Sequence, residues 1–436
     1  MADAMLANAG YRTKRQRTLA VLDIGTSKIC CLIARAMPGA DRAAAYGEGP
    51  QFEVIGLGHQ QAHGMKGGCV VHMDLAEKAI AGAIDQAERM AGVTVDNVLL
   101  AVSCGRIRSE HFQASVDISS SAVQAQDIER VLAAGRDFAM REGALVLHTI
   151  PTAYRLDGGT PIADPRGMIA DRFQADIHCI AIDEKPLRNL MLCVERCHVV
   201  IAGMVAAPYA SALAVLTADE TNLGVTCIDF GAGMTTLAVF ADGQFIYADA
   251  LAIGGNLITL DLARALAAPL SEAERMKILH ASAFATSSDE REAISFPMMG
   301  EVHEAPQFNR VTKAQIAEYV SPRVEEILEH IRHRLAANGL DEVAGHPVVL
   351  TGGASQLAGL PELAARVLGS DVRQGLPRGV AGLPEACLSP VFATAVGVLS
   401  YSRLAQLDRT NAVHVPVPAA DGGYLTRVGQ WIRESF

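Results

Sequence analysis

No window of the 436-residue chain holds eighteen consecutive apolar residues, and its first residues are basic and polar with no apolar stretch behind them. Neither a membrane span nor a secretory signal is expected. An excess of positive charge is also missing: 37 Lys and Arg stand against 48 Asp and Glu, a formal net charge of −11. That argues against general nucleic-acid binding. Charged residues are only 19% and apolar residues 50%, a globular composition and not a disordered one. The nine cysteines are odd in number and include the adjacent pair Cys30 and Cys31. They form no disulfide framework and suit a reducing cytoplasm. Cys193, Cys197 and His198 come close to metal-ligand spacing, but no second ligand pair stands at a matching interval. They are read as buried helix residues and not as a zinc site. At this length one core does not suffice, so two or more lobes are expected.

What is present is a repeated grammar. Residues 19–33 are an apolar run ending at Asp23-Ile24, a Gly25-Thr26-Ser27-Lys28 turn, and a second apolar run. This reads as a β-hairpin whose tip offers backbone N–H groups, two hydroxyls and an ammonium to a phosphate. On this stretch alone an ordinary core hairpin would look the same. Residues 225–240 repeat the pattern, with Asp229 near a strand end and Gly231-Ala232-Gly233-Met234 as the turn. Two such hairpins suggest two related halves facing one ligand. A third stretch, 347–355, is a buried strand running into Gly352-Gly353-Ala354. There the backbone can approach a flat ring, because glycine has no Cβ in the way.

Between these markers the periodicity predicts strands at 52–57, 97–103, 144–149, 167–173, 175–182 and 199–205, the 175–182 strand returning to the first lobe. Helices are predicted at 73–91, 123–140, 185–197 and 209–216. In the 73–91 helix Leu75, Ala79, Ile80, Ala83, Ile84, Ala87 and Met90 keep helical spacing. Gly254-Gly255-Asn256 opens a helix to 267, and Ser271 is read as the cap of the next. Residues 312–336 form a long helix in which Pro322 should kink or break the course. Helices also start at Leu360-Pro361 and Ser389-Pro390. Residues 408–423 lose the apolar pattern and read as a linker. In 424–436, at 100° per residue, Tyr424, Leu425, Val428, Trp431, Ile432 and Phe436 fall within an arc of about 140°. That face is suited to lie in a membrane interface.

The two hairpins and the Gly-Gly motif resemble, in order and spacing, those of the actin, sugar-kinase and heat-shock-chaperone ATPase superfamily. Ser271-Glu272-Ala273-Glu274-Arg275-Met276-Lys277 resembles the helix whose Glu and Lys hold adenosine there. More narrowly the chain resembles the bacterial cell-division FtsA family. The segments that carry this are Gly64-Met65-Lys66-Gly67-Gly68, Ala83 to Glu88, Leu147 to Pro151, Val194 to Cys197, Thr394 to Gly397 and the Trp-bearing C-terminus.

The resemblance implies an α/β, actin-like or ribonuclease-H-like two-lobe ATPase fold with an FtsA-type inserted subdomain. The boundaries it implies are a basic tail over 1–17 and subdomain 1A over 18–92, 175–218 and 389–407. The inserted subdomain 1C spans 93–174. Subdomain 2A spans 219–254 and 336–388, and 2B spans 255–335. The linker occupies 408–423 and the membrane-targeting helix 424–436.

The implied cofactors are ATP and Mg²⁺. The nucleotide would be held by Asp23, Gly25, Thr26, Ser27, Lys28, Asp229, Gly231, Ala232, Gly233, Met234, Gly254, Gly255, Asn256, Glu274, Lys277, Gly352, Gly353 and Ala354. Asp23 and Asp229 would reach the metal through water. Many members place a Glu before the crossover Pro, and here that residue is Ala207; the usual Thr and Asp of the second hairpin are Met234 and Thr236. Binding is therefore expected more than turnover.

The implied partners are the FtsZ C-terminal peptide at Asn309, Arg310 and Lys313, further copies of the chain in a filament, and later divisome membrane proteins. The membrane surface would be met through Tyr424, Leu425, Val428, Trp431, Ile432 and Phe436, on the cytoplasmic side of the inner membrane at the septum. Two alternatives share the fold: the pilus-assembly protein PilM, which would not need the tail, and a small-molecule kinase, for which no substrate base is found by motif.

Overall fold

The computed structural model describes residues 18–37, 52–119, 122–297, 308–340 and 347–407. The expected basic tail, the linker over 408–423 and the amphipathic helix over 424–436 lie outside the described residues.

The first apolar runs fold back on each other as β1 (Thr18–Ile24) and β2 (Lys28–Ala36), antiparallel from Thr18↔Arg35 to Ile24↔Ile29. Next come β3 (Phe52–Gln61), the short pair β4 (Met65–Lys66) and β5 (Cys69–Val70), helix α1 (Met73–Ala91) and β6 (Asn97–Val102). Helix α1 ends where Gly92 turns left-handed, at φ 66°, and its N–H caps Glu88. It seats its Ala-rich stripe directly on β3. A Cβ on Gly58 would lie 1.7 Å from the Ala83 carbonyl, so only glycine permits this approach.

The inserted module contains β7 (Arg108–Asp117), α2 (Ala125–Ala139), β8 (Ala144–Leu156) and β9 (Arg172–Asp183). The chain then returns through α3 (Glu184–Glu195), β10 (Val200–Ala206), α4 (Ala207–Val215) and α5 (Ala218–Leu223). The second lobe holds β11 (Val225–Phe230), β12 (Thr235–Ala241), β13 (Gln244–Leu251), α6 (Gly255–Leu266), α7 (Leu270–His280), β14 (Ala293–Pro297), β15 (Phe308–Thr312), α8 (Lys313–Ala336), β16 (Val348–Thr351), α9 (Leu360–Leu368) and β17 (Val372–Gln374). After β18 (Val380–Ala381), α10 (Ala393–Leu407) packs back on α4. A Cβ on Gly397 would meet the Ala210 carbonyl at 1.7 Å.

The two lobes repeat one topology. The first sheet runs β10-β6-β1-β2-β3-β18, and the second, read from its other edge, β17-β16-β11-β12-β13. In each, an antiparallel hairpin pairs with a parallel strand at its Asp: Asp23 lies opposite Ala101, and Asp229 opposite Thr351. The turns match as well, since Gly25 N–H donates to Lys28 and Gly231 N–H to Met234, both at 2.9 Å. The two halves inferred from the repeated grammar are thus real.

Several readings are corrected. Residues 97–102 pair between β10 and β1 in the first sheet, so they belong to the first lobe and not to the module expected over 93–174. Residues 167–170 are not strand. Gly167 is left-handed at φ 78° and Ile169 is exposed, so an apolar run there serves a loop. The strand starts at Arg172 and runs unbroken to Asp183 as the centre of the module's own three-stranded sheet β7-β9-β8, so 175–182 does not return to the first lobe. Ser271 is not a cap. Pro269 precedes the helix, and its carbonyl receives Glu272 and Ala273. Helix α8 passes through Pro322 as one element, started by a Thr312–Gln315 capping box. In α1, Leu75 and Met90 are exposed while Ala76 joins the buried stripe.

Candidate nucleotide cleft

The hairpin tips of the two lobes meet at the mouth of a cleft of about 760 Å³. A Cβ on Gly233 would lie 2.6 Å from the Thr26 side chain, so the second tip must be bare for the first to reach it. Thr26 Oγ1 also accepts from Gly68 N–H at 3.0 Å, which gives the quoted Gly67-Gly68 pair a structural task beside the tip.

Asp23 and Lys28 form a 3.5 Å ion pair, both largely buried. The ammonium also donates to the Val391 carbonyl and lies 4.8 Å over the Phe392 ring. Across the cleft, Ser211 on α4 and Thr394 on α10 donate to Asp229 Oδ2 at 2.5 and 3.0 Å. Burial raises the Asp229 carboxyl above its usual range. The two hydroxyls oppose that, Asp23 adds to it, and Lys28 counters it. A desolvated carboxylate facing a second one is an arrangement that a divalent cation relieves. Gly352 sits against it at φ 87°, where a Cβ would lie 2.2 Å from Asp229 Oδ1.

At the far end Lys277 Nζ bridges Glu274 Oε2 (2.7 Å), Thr259 Oγ1 (2.9 Å) and the Gly255 carbonyl (3.2 Å). This fixes α7 against the start of α6. Of the nucleotide residues expected, all line the cleft except Gly254 and Asn256. Those two stand behind it. Asn256 N–H donates to Ala232 at 2.7 Å, and a Cβ on Gly254 would press on the Gly231 carbonyl at 2.6 Å, so both shape the second tip from the rear. The cleft also takes in residues that no motif announced, His59, Ser103 and an apolar rim of Ile278, Leu279 and Leu357, together with Thr394 from the quoted Thr394 to Gly397 segment, to which the sequence assigns no site role. Ala207, Met234 and Thr236 line it too, so the departures from the superfamily pattern all border the cleft.

The donor set fits a hydrated metal triphosphate: turn N–H groups, a lysine, two carboxylates, and at Thr236 a buried hydroxyl with no partner among the described residues. No cluster of three or more His, Cys, Asp or Glu suited to a metal occurs among the described residues. Cys193 and Cys197 turn their thiols to carbonyls of α1, at Met73 and Glu77.

The expected peptide patch is only partly free. Asn309 and Arg310 are exposed on β15, but Lys313 is paired with Glu292. Nearby, Asp261 and Arg264 of α6 and Tyr319, Pro322 and Arg323 of α8 border a groove of about 340 Å³. In it Arg323 bonds Asp261 at 2.5 Å.

Comparison with known proteins agrees with this layout. The family described as cell division protein FtsA matches residues 226–397, and the SHS2 domain inserted in FTSA matches 104–181. The cell division protein FtsA of Rhizobium meliloti (strain 1021) is 43% identical over 426 residues, covering 97% of this chain and 96% of that one. The chain belongs to the FtsA family. The FtsA of Escherichia coli (strain K12) is 31% identical over 422 residues, 95% of this chain and 97% of that one. Among solved structures, a PilM–PilN type IV pilus biogenesis complex shares the fold at a TM-score of 0.62 and 16% identity, covering 89% of this chain and 98% of its own. MreB 5 of Spiroplasma citri bound to AMPPNP shares it at 0.53 and 12%, covering 90% and 98%. The fold is therefore actin-like and common to FtsA and PilM; the sequence identity is what places the chain with FtsA. The SHS2 match starts after β6 and ends within β9, in agreement with the sheet pairing. No helix of the described residues is long and apolar enough to cross a membrane.

Proposed function

We propose that this FtsA-family chain is an ATP-binding scaffold that polymerises and tethers the FtsZ ring to the cytoplasmic face of the inner membrane at the septum. Its ATP acts as a lobe-closing ligand and not as a fuel turned over rapidly. The observation that carries this reading is the cleft itself. Two matched hairpins, Lys28 and the Asp23 and Asp229 carboxylates supply what a metal triphosphate needs, while Ala207 and Met234 stand at the wall where groups acting on water would be required. Asp23 and Asp229 would hold Mg²⁺ through water, the turn N–H groups of 25–28 and 231–234 the phosphates, and Glu274, Lys277 and Gly352 to Ala354 the adenosine. The metal supplies charge neutralisation between the phosphates and the two carboxylates.

Because both lobes touch the same ligand, binding favours the closed arrangement, and closure would favour the polymer-competent state. A neighbour of the same fold was solved with AMPPNP bound, which supports ATP as the ligand class here. The FtsZ C-terminal peptide is assigned to Asn309, Arg310 and Lys313, later divisome proteins to the inserted module, and the membrane to the face of Tyr424, Leu425, Val428, Trp431, Ile432 and Phe436. Titration with fluorescent ATP, run beside phosphate release, tests the nucleotide part. Saturable Mg²⁺-dependent binding with slow release is expected, and rapid steady turnover would refute it.

A further inference from the structure

Strand β13 is an edge of the second sheet, and side chains of the inserted module bond to its outer side. In the β12–β13 ladder Val239 pairs with Tyr247 and Phe240 with Phe245, which leaves Ile246 as an extra residue, a bulge. Successive carbonyls of a regular strand point to opposite sides. At this bulge the consecutive carbonyls of Phe245 and Ile246 both accept from the module, from His178 Nδ1 at 2.7 Å and His111 Nε2 at 2.8 Å. A carbonyl only accepts, so each imidazole carries its proton at that nitrogen. The two rings stack, 4.7 Å apart and inclined by 11°. Two residues on, Ala248 N–H donates to Ser109 Oγ at 3.2 Å.

The module that makes these bonds belongs to the first lobe at both its ends. The chain enters it from β6 and leaves it through α3 into β10, and β6 and β10 pair in the first sheet. His148 adds a bond from the module to Ala206 N–H of β10. The contact at the bulge therefore straps one lobe to the other, in addition to the meeting of the hairpin tips. Strand β13 also leads to the cleft. Just past its end the Ile253 carbonyl accepts from Thr235 Oγ1 at 2.9 Å, and Gly255 N–H donates to the Gly231 carbonyl at 3.0 Å. One strand thus carries the bulge at its start and the backing of the second tip at its finish.

We propose that the β13 bulge is a releasable seat for the module, and that it is coupled to the cleft: a nucleotide between the lobes tightens the seat, and loosening the seat weakens the nucleotide. Here the seat is made while the tips meet, Gly233 against Thr26, so both contacts belong to one arrangement of the lobes. A ligand that touches both lobes favours that arrangement, and the coupling is reciprocal. The inference rests on the nucleotide reading of the cleft. It adds a route by which the inserted module senses what the cleft holds.

The Ala248 amide reads the seat directly, because it faces away from β12 and its bond is to Ser109 of the module. Residue-resolved hydrogen exchange is measured with and without saturating Mg²⁺–ATP, beside fluorescent-ATP titration, for the parent, His111→Phe and His111→Gln. Mg²⁺–ATP is expected to slow Ala248 exchange in the parent about threefold or more. His111→Phe keeps a ring for the stack but donates nothing to Ile246. It should speed Ala248 exchange in the free protein and weaken Mg²⁺–ATP binding about two- to tenfold. His111→Gln, whose amide can donate, should recover much of both. A parent that binds Mg²⁺–ATP with Ala248 exchange unchanged overturns the coupling, and so does a His111→Phe protein with faster exchange and parental affinity. Unchanged exchange in His111→Phe overturns the seat itself, whatever the affinity. A parent that binds no nucleotide overturns the reading of the cleft, and this inference with it.

Discussion

His178, on the central strand of the inserted module, donates from Nδ1 to the Phe245 carbonyl of the second lobe at 2.7 Å. With Nδ1 carrying the proton, Nε2 is left to accept from Ser109 Oγ at 2.6 Å, and Ser109 in turn accepts from Ala248 N–H at 3.2 Å. His111 stacks on the same ring at 4.7 Å and donates to the Ile246 carbonyl at 2.8 Å. On its other side the module's buried His148, on β8, accepts from Ala206 N–H of the first lobe at 2.9 Å, one residue before Ala207 of the cleft wall. The module is therefore pinned to both lobes by histidines.

The two buried histidines, His178 and His148, make the docking acid-sensitive. Burial lowers His178 from its ordinary 6.5 to about 3 and His148 to about 4. In the unfolded chain both take up protons below about pH 6.5, whereas the folded protein resists. Their contribution is whole above pH 6.5 and is lost progressively as the pH falls toward 4. Melting curves from pH 7.5 to 5 should show Tm falling steadily. His148→Gln, whose carbonyl can still accept from Ala206, should flatten part of that slope, whereas His148→Leu should cost about 1–3 kcal/mol at every pH. An unchanged slope in His148→Gln would exclude His148 as a contributor.

A second electrostatic prediction concerns the rear of the second sheet. Arg373 on β17 grips Glu220 of α5 with two bonds, at 2.6 and 2.7 Å. The guanidinium, helped by Thr217, lowers Glu220 from 4.5 to about 2 against the opposing effect of burial. This stability is present above about pH 4.5 and disappears as the pH falls toward 2. Glu220→Gln should destabilise the protein by about 1–2 kcal/mol at pH 7, allowing for partial exposure of the pair. Chemical denaturation at pH 7 measures it, and no change would mean that the pair is merely solvated.

Gly352→Ala should abolish nucleotide binding. Its φ of 87° disfavours any side chain, and the new methyl would displace the Asp229 carboxylate that it would otherwise meet at 2.2 Å. Circular dichroism separates misfolding from loss of the site. Retained ATP affinity in a folded variant would show that Asp229 is not part of the site.

The peptide patch gives a sharper mutation than a simple charge reversal, because Lys313 is held by Glu292, whose carboxylate raises the affinity of the ammonium for its proton. Arg310→Glu with Lys313→Glu should weaken binding of the FtsZ C-terminal peptide about tenfold or more and leave ATP affinity unchanged. Glu292→Ala should free Lys313 and strengthen it. If neither variant moves peptide affinity in a fluorescence-polarisation titration, the patch is elsewhere, and the groove beside Tyr319 and Arg323 is the next surface to change.

Local signals carried much of this architecture. Each of the two matched hairpins is one contiguous stretch whose alternation and glycines leave few options, so both were legible with their aspartates in place. The cleft's rear was not: Ser211 and Thr394 are single hydroxyls far apart in the chain, brought to Asp229 only because Gly397 lets α10 lie on α4. Thr236 was visible as a departure from a motif, but its lack of a partner is a property of packing. Residues 167–170 misled for the opposite reason, since Ile169 looks like strand yet lies exposed in a loop. Sheet membership is non-local as well, and nothing within 97–102 or 175–182 says which neighbour each will pair with.

The central claim couples ATP in the cleft to attachment through the amphipathic segment. Its six apolar side chains would contribute on the order of 6–9 kcal/mol gross on burial. Ordering the segment would offset much of that, so one copy would bind weakly and a polymer firmly. The direct test is co-sedimentation with anionic liposomes, with and without Mg²⁺–ATP, for the full chain, Trp431→Glu and Gly352→Ala. Strong ATP-dependent sedimentation of the parent, its loss in Trp431→Glu with nucleotide affinity intact, and its insensitivity to ATP in Gly352→Ala are the results expected. Equal sedimentation of parent and Trp431→Glu, or sedimentation of the parent that ignores ATP, would contradict the account.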